Sequence, residues 1–139
     1  MNLAIVGINH RTAPVEVRER MSIPESRLRE AVDDLVHREG IQEGLILSTC
    51  NRVEVIASAR DHVAAEPLIR RFLADHHHCS LAPYENHFYQ FCQRQAIEHL
   101  FRVASSLDSM IVGEPQILGQ LKQAYSAARG AGALNGTLN

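Results

Sequence analysis

Three observations in the 139-residue sequence predict an α+β sandwich. Apolar runs alternate with stretches whose apolar residues recur every three or four positions, in the order β-α-β-β-α-β-α. The second and third runs, at 45–47 and 53–57, are too close for a crossover and predict a hairpin. Hydrophobic residues make up 45% of the chain and charged residues 22%, a globular composition able to bury one core. A β-α-β-β-α-β order with one helix added after it predicts a ferredoxin-like sandwich.

Residues 3–8, LeuAlaIleValGlyIle, are apolar and rich in β-branched side chains, and they read as a buried strand. AsnHisArgThrAlaPro then leaves the strand as a loop. Ser22 and Glu25 have the spacing of a capping box, with Pro24 in the first turn of a helix. Leu28, Ala31, Val32, Leu35 and Val36 repeat at helical spacing, and Gly40 stops that helix. After the hairpin, Leu68, Ile69, Phe72 and Leu73 mark a second helix, in which Pro67 is either a first-turn residue or a kink. Residues 87–92, HisPheTyrGlnPheCys, predict the fourth strand. The following helix is expected to turn Ala96, Ile97, Leu100, Phe101 and Ala104 inward. Glu114-Pro115 opens the last helix, with a stripe of Ile117, Leu118, Leu121, Tyr125 and Ala128, and Gly130 ends it.

Fourteen basic residues against sixteen acidic ones give a net charge of −2, which neither implies nor excludes a nucleic-acid partner, because a local patch can hide in a neutral total. No stretch has the length of a transmembrane helix, and the start of the chain lacks the basic region and cleavage site of a signal peptide. Cys50, Cys79 and Cys92 are odd in number and lack CxxC spacing, which points to a reduced, cytoplasmic protein.

The chemistry concentrates on SerThrCysAsnArg, residues 48–52, at the predicted hairpin tip. Free cysteine is often just a small buried hydrophobe. A hairpin tip is exposed, however, and suits the presentation of a reactive thiol. On a regular strand Arg52 and Glu54 share a face. A guanidinium beside the thiol would favour thiolate, and it could equally grip a carboxylate with its planar fork. His99 lies about 40° around its helix from Val103, at the edge of the apolar stripe. It is either a boundary histidine without a task or the proton acceptor that a cysteine nucleophile requires. Gln116, Gln120 and Gln123 form an amide stripe on the last helix, either a solvated face or a set of groups for a polar ligand. Gly119, costing about 1 kcal/mol against alanine, is more readily tolerated where something approaches the backbone. His76-His77-His78-Cys79 lacks metal-ligand spacing and reads as a solvated helix end whose imidazoles suit the helix dipole, so no metal is expected.

Three segments together carry a resemblance to the N-terminal catalytic domain of glutamyl-tRNA reductase. They are GlyIleAsnHisArgThrAlaPro at 7–14, SerThrCysAsnArg at 48–52 and the long stretch from Ser106 to Ala124, SerLeuAspSerMetIleValGlyGluProGlnIleLeuGlyGlnLeuLysGlnAla. The resemblance implies an NADPH-dependent oxidoreductase that makes glutamate-1-semialdehyde for tetrapyrrole synthesis through 5-aminolevulinate. It implies Cys50 as the nucleophile that forms a thioester from glutamyl-tRNA, and His99 as a second catalytic residue, by general base action or positioning. The implied substrate pocket comprises Thr49, Asn51, Arg52, Ser109, Glu114, Pro115, Gln116 and Gln120. Arg52 is the natural partner for the free side-chain carboxylate of glutamate. Implied partners are glutamyl-tRNA, glutamate-1-semialdehyde aminomutase and a second copy of the full-length chain through a C-terminal domain, with no membrane.

The NADPH-binding domain of that family finds no match here, since no GxGxxG follows a strand. Residues 1–130 are therefore expected to be the catalytic domain and 131–139 the start of a linker. The expected chemistry is partial: thiol acylation, slow hydrolysis and no aldehyde. Two rivals have distinct signatures. A nucleic-acid-binding module of this fold expects sheet aromatics and basic clustering, against 5% aromatic residues here. A stand-alone thiol hydrolase of glutamyl esters expects turnover without nicotinamide.

Overall fold

The computed structural model describes residues 2–104. In order they form β1 (Asn2–Asn9), α1 (Val15–Met21), α2 (Glu25–Val36), β2 (Ile41–Ser48), β3 (Arg52–Ala59), α3 (Ala65–His76), a 3-10 turn (Ala82–His87), β4 (Tyr89–Cys92) and α4 (Arg94–Ala104). The four strands make one sheet in the order β2-β3-β1-β4, every neighbouring pair antiparallel. The hairpin expected around residues 48–52 is β2–β3, and both strands run further than their apolar cores suggested.

Paired residues of antiparallel strands share a face, which assigns the two sides of the sheet. Leu47, Glu54, Gly7 and Tyr89 form one row across it, and Leu45, Ile56, Ile5 and Phe91 form the next row on the same face. α4 lies over this side, with His99 stacked on Phe91 at 4.6 Å between ring centroids. Gly44 is on the opposite side, where a side chain would meet Leu35 of α2 at 2.6 Å. Every residue of β3 is buried, so the strand reads as a continuous apolar run broken only where polar groups pair with one another. Within α3, Ile69, Phe72 and Leu73 are buried, each such side chain contributing roughly 1.5–3 kcal/mol.

Several local expectations change. Residues 15–21, to which the sequence assigned no element, form α1, and among them only Met21 is buried. A short helix that buries one residue has no apolar stripe to announce it. The capping box is not made: Ser22 Oγ donates to the Glu19 carbonyl at 2.9 Å, closing α1, while Pro24 is the N-cap of α2 without a side-chain cap. Pro67 falls in the first turn of α3, where its lacking N–H leaves no bond unmade. His87 belongs to the 3-10 turn, and the fourth strand begins at Tyr89. On α4 the buried line is Ala96, His99 and Val103, whereas Phe101, expected inside, is 72% exposed. A polar histidine thus takes a place in the buried line of the helix. The predicted last helix lies outside the described residues.

Candidate active site at the β2–β3 bend

The bend is built by Thr49 rather than by glycine. Its Oγ1 accepts from the N–H groups of Asn51 and Arg52, both at 3.1 Å, and its own N–H donates to the Arg52 carbonyl at 2.8 Å. A hydroxyl that satisfies two turn donors replaces the conformational freedom a tight hairpin otherwise takes from glycine, and neither Cys50 nor Asn51 has a positive φ. Ser48 Oγ accepts from the Ile23 N–H at 2.9 Å, which ties the bend to the α1–α2 junction. Held this way, Cys50 is exposed. It borders an open hollow together with Ser48, Thr49, Ser22 and Arg18 of α1.

Beneath the bend lies a buried ionic row. Arg52 Nη1 donates to Glu54 Oε1 at 2.9 Å, and His99 Nε2 lies 2.5 Å from Glu54 Oε2. Relative exposures of 0%, 1% and 2% for Arg52, Glu54 and His99 place the whole row inside. Buried charges of this kind persist only when paired and hydrogen-bonded. Gly7 makes the arrangement possible: a Cβ there would sit 2.6 Å from the Val53 carbonyl oxygen and 2.8 Å from Glu54 Cγ. The bare backbone of β1 is the floor on which the Glu54 side chain rests. Phe91 stacks on the His99 ring with 25° between planes and Tyr89 tilts against it at 5.6 Å, so the imidazole is held on its faces and at one nitrogen. Asn9, Arg11, Thr12 and Tyr89 line a second open hollow with His99.

Two expectations about the site are corrected. The guanidinium of Arg52 is turned onto Glu54 and shut away from solvent, and among the described residues Arg18 is the cation that shares the hollow of Cys50. His99 is fully buried rather than at the edge of its stripe. Thr49 and Asn51 flank the thiol, Thr49 with its hydroxyl committed to the turn. Ser109, Glu114, Pro115, Gln116 and Gln120 lie outside the described residues. Glu54, Gly7 and Arg18 are the residues that the sequence reading did not assign to the site. Glu54 had one available signal, the two-residue period that puts it beside Arg52.

The histidine tract differs from a solvated helix end. His76 and His77 are half-buried. Burial pushes the pKa of both down, that of His77 to about 4, so at neutral pH neither supplies a positive charge to the end of α3. Among the described residues no three His, Cys, Asp or Glu side chains gather as a metal site, and no helix is long and apolar enough to cross a membrane.

Comparison with known proteins adds an independent line. Residues 6–139 match the family model described as "Glutamyl-tRNAGlu reductase, N-terminal domain". The chain is 52% identical over 139 residues to glutamyl-tRNA reductase 2 of Koribacter versatilis, covering all of this chain and 31% of that protein. It is 52% identical over 128 residues to glutamyl-tRNA reductase of Pelobacter propionicus, covering 92% of this chain and 29% of that one. Among solved structures, glutamyl-tRNA reductase from Methanopyrus kandleri superposes with a TM-score of 0.75 at 37% identity, over 96% of this chain and 30% of that one. The chain thus spans about a third of the length of these relatives.

Proposed function

The chain belongs to the glutamyl-tRNA reductase family by its N-terminal domain, and we propose that it carries the acyl-transfer half of that activity, with Cys50 as nucleophile. The observation that carries the reading is the exposed thiol on a bend rigidified by Thr49 and seated above the buried Arg52–Glu54–His99 row. Cys50 Sγ attacks the carbonyl carbon of the ester joining glutamate to the terminal ribose of tRNA. The S–C bond forms, the C–O bond breaks, and the products are a thioester and free tRNA. The thiol proton is passed on to the departing ribose oxygen, and His99 is the proposed second catalytic residue, by general base action or by positioning. Arg52 is the proposed partner of the glutamate side-chain carboxylate. Because it is wholly buried in its pair with Glu54, substrate must part what lies over that pair to reach it. Asn51, Ser109, Glu114, Pro115, Gln116 and Gln120 remain proposed pocket residues.

NADPH is the reductant we propose for the whole enzyme. The described residues do not fit it: their strands are all antiparallel, and the turn after β1, residues 10–14, has no glycine-rich phosphate loop. On its own, residues 1–130 would acylate Cys50 and then lose the acyl group slowly to water, giving glutamate and the free thiol but no glutamate-1-semialdehyde. We also read the β2-β3-β1-β4 antiparallel order as ferredoxin-like, with α1 as an insertion. For the whole enzyme we propose a cytoplasmic homodimer that hands its aldehyde to glutamate-1-semialdehyde aminomutase, the linker to further domains starting at residue 131.

The test is direct. After incubation with glutamyl-tRNA and an acid quench, peptide mass spectrometry should find a glutamyl adduct on Cys50 and none in Cys50→Ser. Equal adduct levels in the two proteins would rule the assignment out.

A further inference from the structure

We infer that Glu54 is a positioning residue that sets which nitrogen of His99 carries the proton, a claim that rests on the acyl-transfer reading above. Glu54 has two carboxylate oxygens, and each meets a different donor: Oε1 takes the N–H of Arg52 Nη1 at 2.9 Å, and Oε2 lies 2.5 Å from His99 Nε2. Arginine can only donate, and an ionised carboxylate can only accept. The proton of a neutral His99 therefore sits on Nε2, and the lone pair sits on Nδ1. A histidine that must take a proton from a thiol needs a bare nitrogen, and this arrangement leaves Nδ1 as that nitrogen.

The geometry around the ring serves the same end. Phe91 lies nearly parallel to the imidazole at 4.6 Å and Tyr89 closes on it at 5.6 Å, so the ring cannot flip to exchange its nitrogens without displacing both. Glu54 could not reach His99 if β1 carried a side chain at Gly7, where a Cβ would come within 2.8 Å of Glu54 Cγ. When His99 takes up its proton, the new positive charge lies against a carboxylate already in place, and no reorganisation is needed at that moment. Arg52 in turn holds the other end of Glu54. The residue proposed to recognise substrate and the residue proposed to move the proton thus share one carboxylate.

The deciding experiment replaces the carboxylate with its amide. In Glu54→Gln the carbonyl oxygen must face Arg52, which offers only donors, so the NH2 group faces His99. Nε2 is then forced to accept, and the proton moves to Nδ1. Multiple-bond 1H–15N spectra of the labelled chain, taken where the ring holds one proton, should show Nε2–H in the wild type and Nδ1–H in Glu54→Gln. The Cys50 acylation rate should fall by about 10²- to 10⁴-fold in the variant, as an Asp→Asn change in a Ser-His-Asp triad reduces turnover by reversing a tautomer. Binding of glutamyl-tRNA should change far less than the rate. Glu98→Gln, on the exposed side of the same helix, should alter neither reading. A wild-type spectrum with Nδ1–H would overturn the inference even if the variant failed to fold. So would a Glu54→Gln protein with unchanged tautomer and rate. Absence of any Cys50 adduct in the wild type would instead refute the thioester reading, and the spectra would still decide what Glu54 does to His99.

Discussion

Thr49 carries more of the site than its proposed place in a substrate pocket suggested. Its hydroxyl serves two backbone donors at once, and leaving turn donors unpaired costs about 1–3 kcal/mol. Thr49→Val, which keeps the shape and loses the oxygen, should lower stability by that order in urea unfolding. It should also broaden the amide signals of Cys50 and Asn51, while Ser at the same position should restore both. His77 makes a separate prediction. Its folded pKa is about 4 because burial disfavours the charged ring, against an ordinary value near 6.5. The unfolded chain therefore binds more protons between those values, and stability falls as pH drops from about 6.5 toward 4. Replacing His77 with Gln should flatten that slope by on the order of 1 kcal/mol, the ring being only half-buried and partly screened, as read from urea midpoints at pH 7 and pH 4.5. Of these residue-level facts, the exposure of Cys50 and the common face of Arg52 and Glu54 were legible in the sequence, because a hairpin tip and a period of two determine them. The partner of Arg52 was not, since nothing local says which of two nearby groups a flexible guanidinium will choose.

At the scale of elements, β1 and α4 decide the site together. β1 is central in the sheet, and its one residue without a side chain lies directly under Glu54. Gly7 has an ordinary φ, so the need there is for space and not for a left-handed backbone. Gly7→Ala should destabilise the protein by about 2–4 kcal/mol, as overpacking against backbone does, and should displace Glu54 from His99, detectable as loss of the Nε2–H signal. The first three strands and the two long helices could be read from their apolar patterns because each buries a clear apolar set. α1 escaped because it buries only Met21. The orientation of α4 was misread for a related reason: apolar periodicity counts Phe101 as an inward residue and His99 as a marginal one. A histidine satisfied by a buried carboxylate on another strand belongs inside, and only the tertiary pairing reveals it.

At the scale of the molecule, the thiol and the ionic row sit at one end of the sheet, where β2 stops at Ser48, β3 starts at Arg52 and β1 stops at Asn9. Cys50 and His99 border different hollows, and the hydrogen-bonded row runs from Arg52, two residues after Cys50, through Glu54 to His99. The three cysteines give this layout a chemical signature, for Cys50 and Cys92 are exposed and Cys79 is half-buried. A thiol reagent should modify two groups quickly and one slowly in the native protein, and a single group quickly in Cys50→Ser. In the proposed reaction one sulfur atom, that of Cys50, takes the glutamyl group from tRNA. Titrating the protein with iodoacetamide and measuring, at each degree of Cys50 alkylation, how much tRNA is set free in a single exposure to glutamyl-tRNA checks this role. Release should decline in proportion to the remaining free Cys50 and reach the uncatalysed level when it is fully alkylated, whereas undiminished release at complete Cys50 alkylation would show that another group takes the glutamyl moiety.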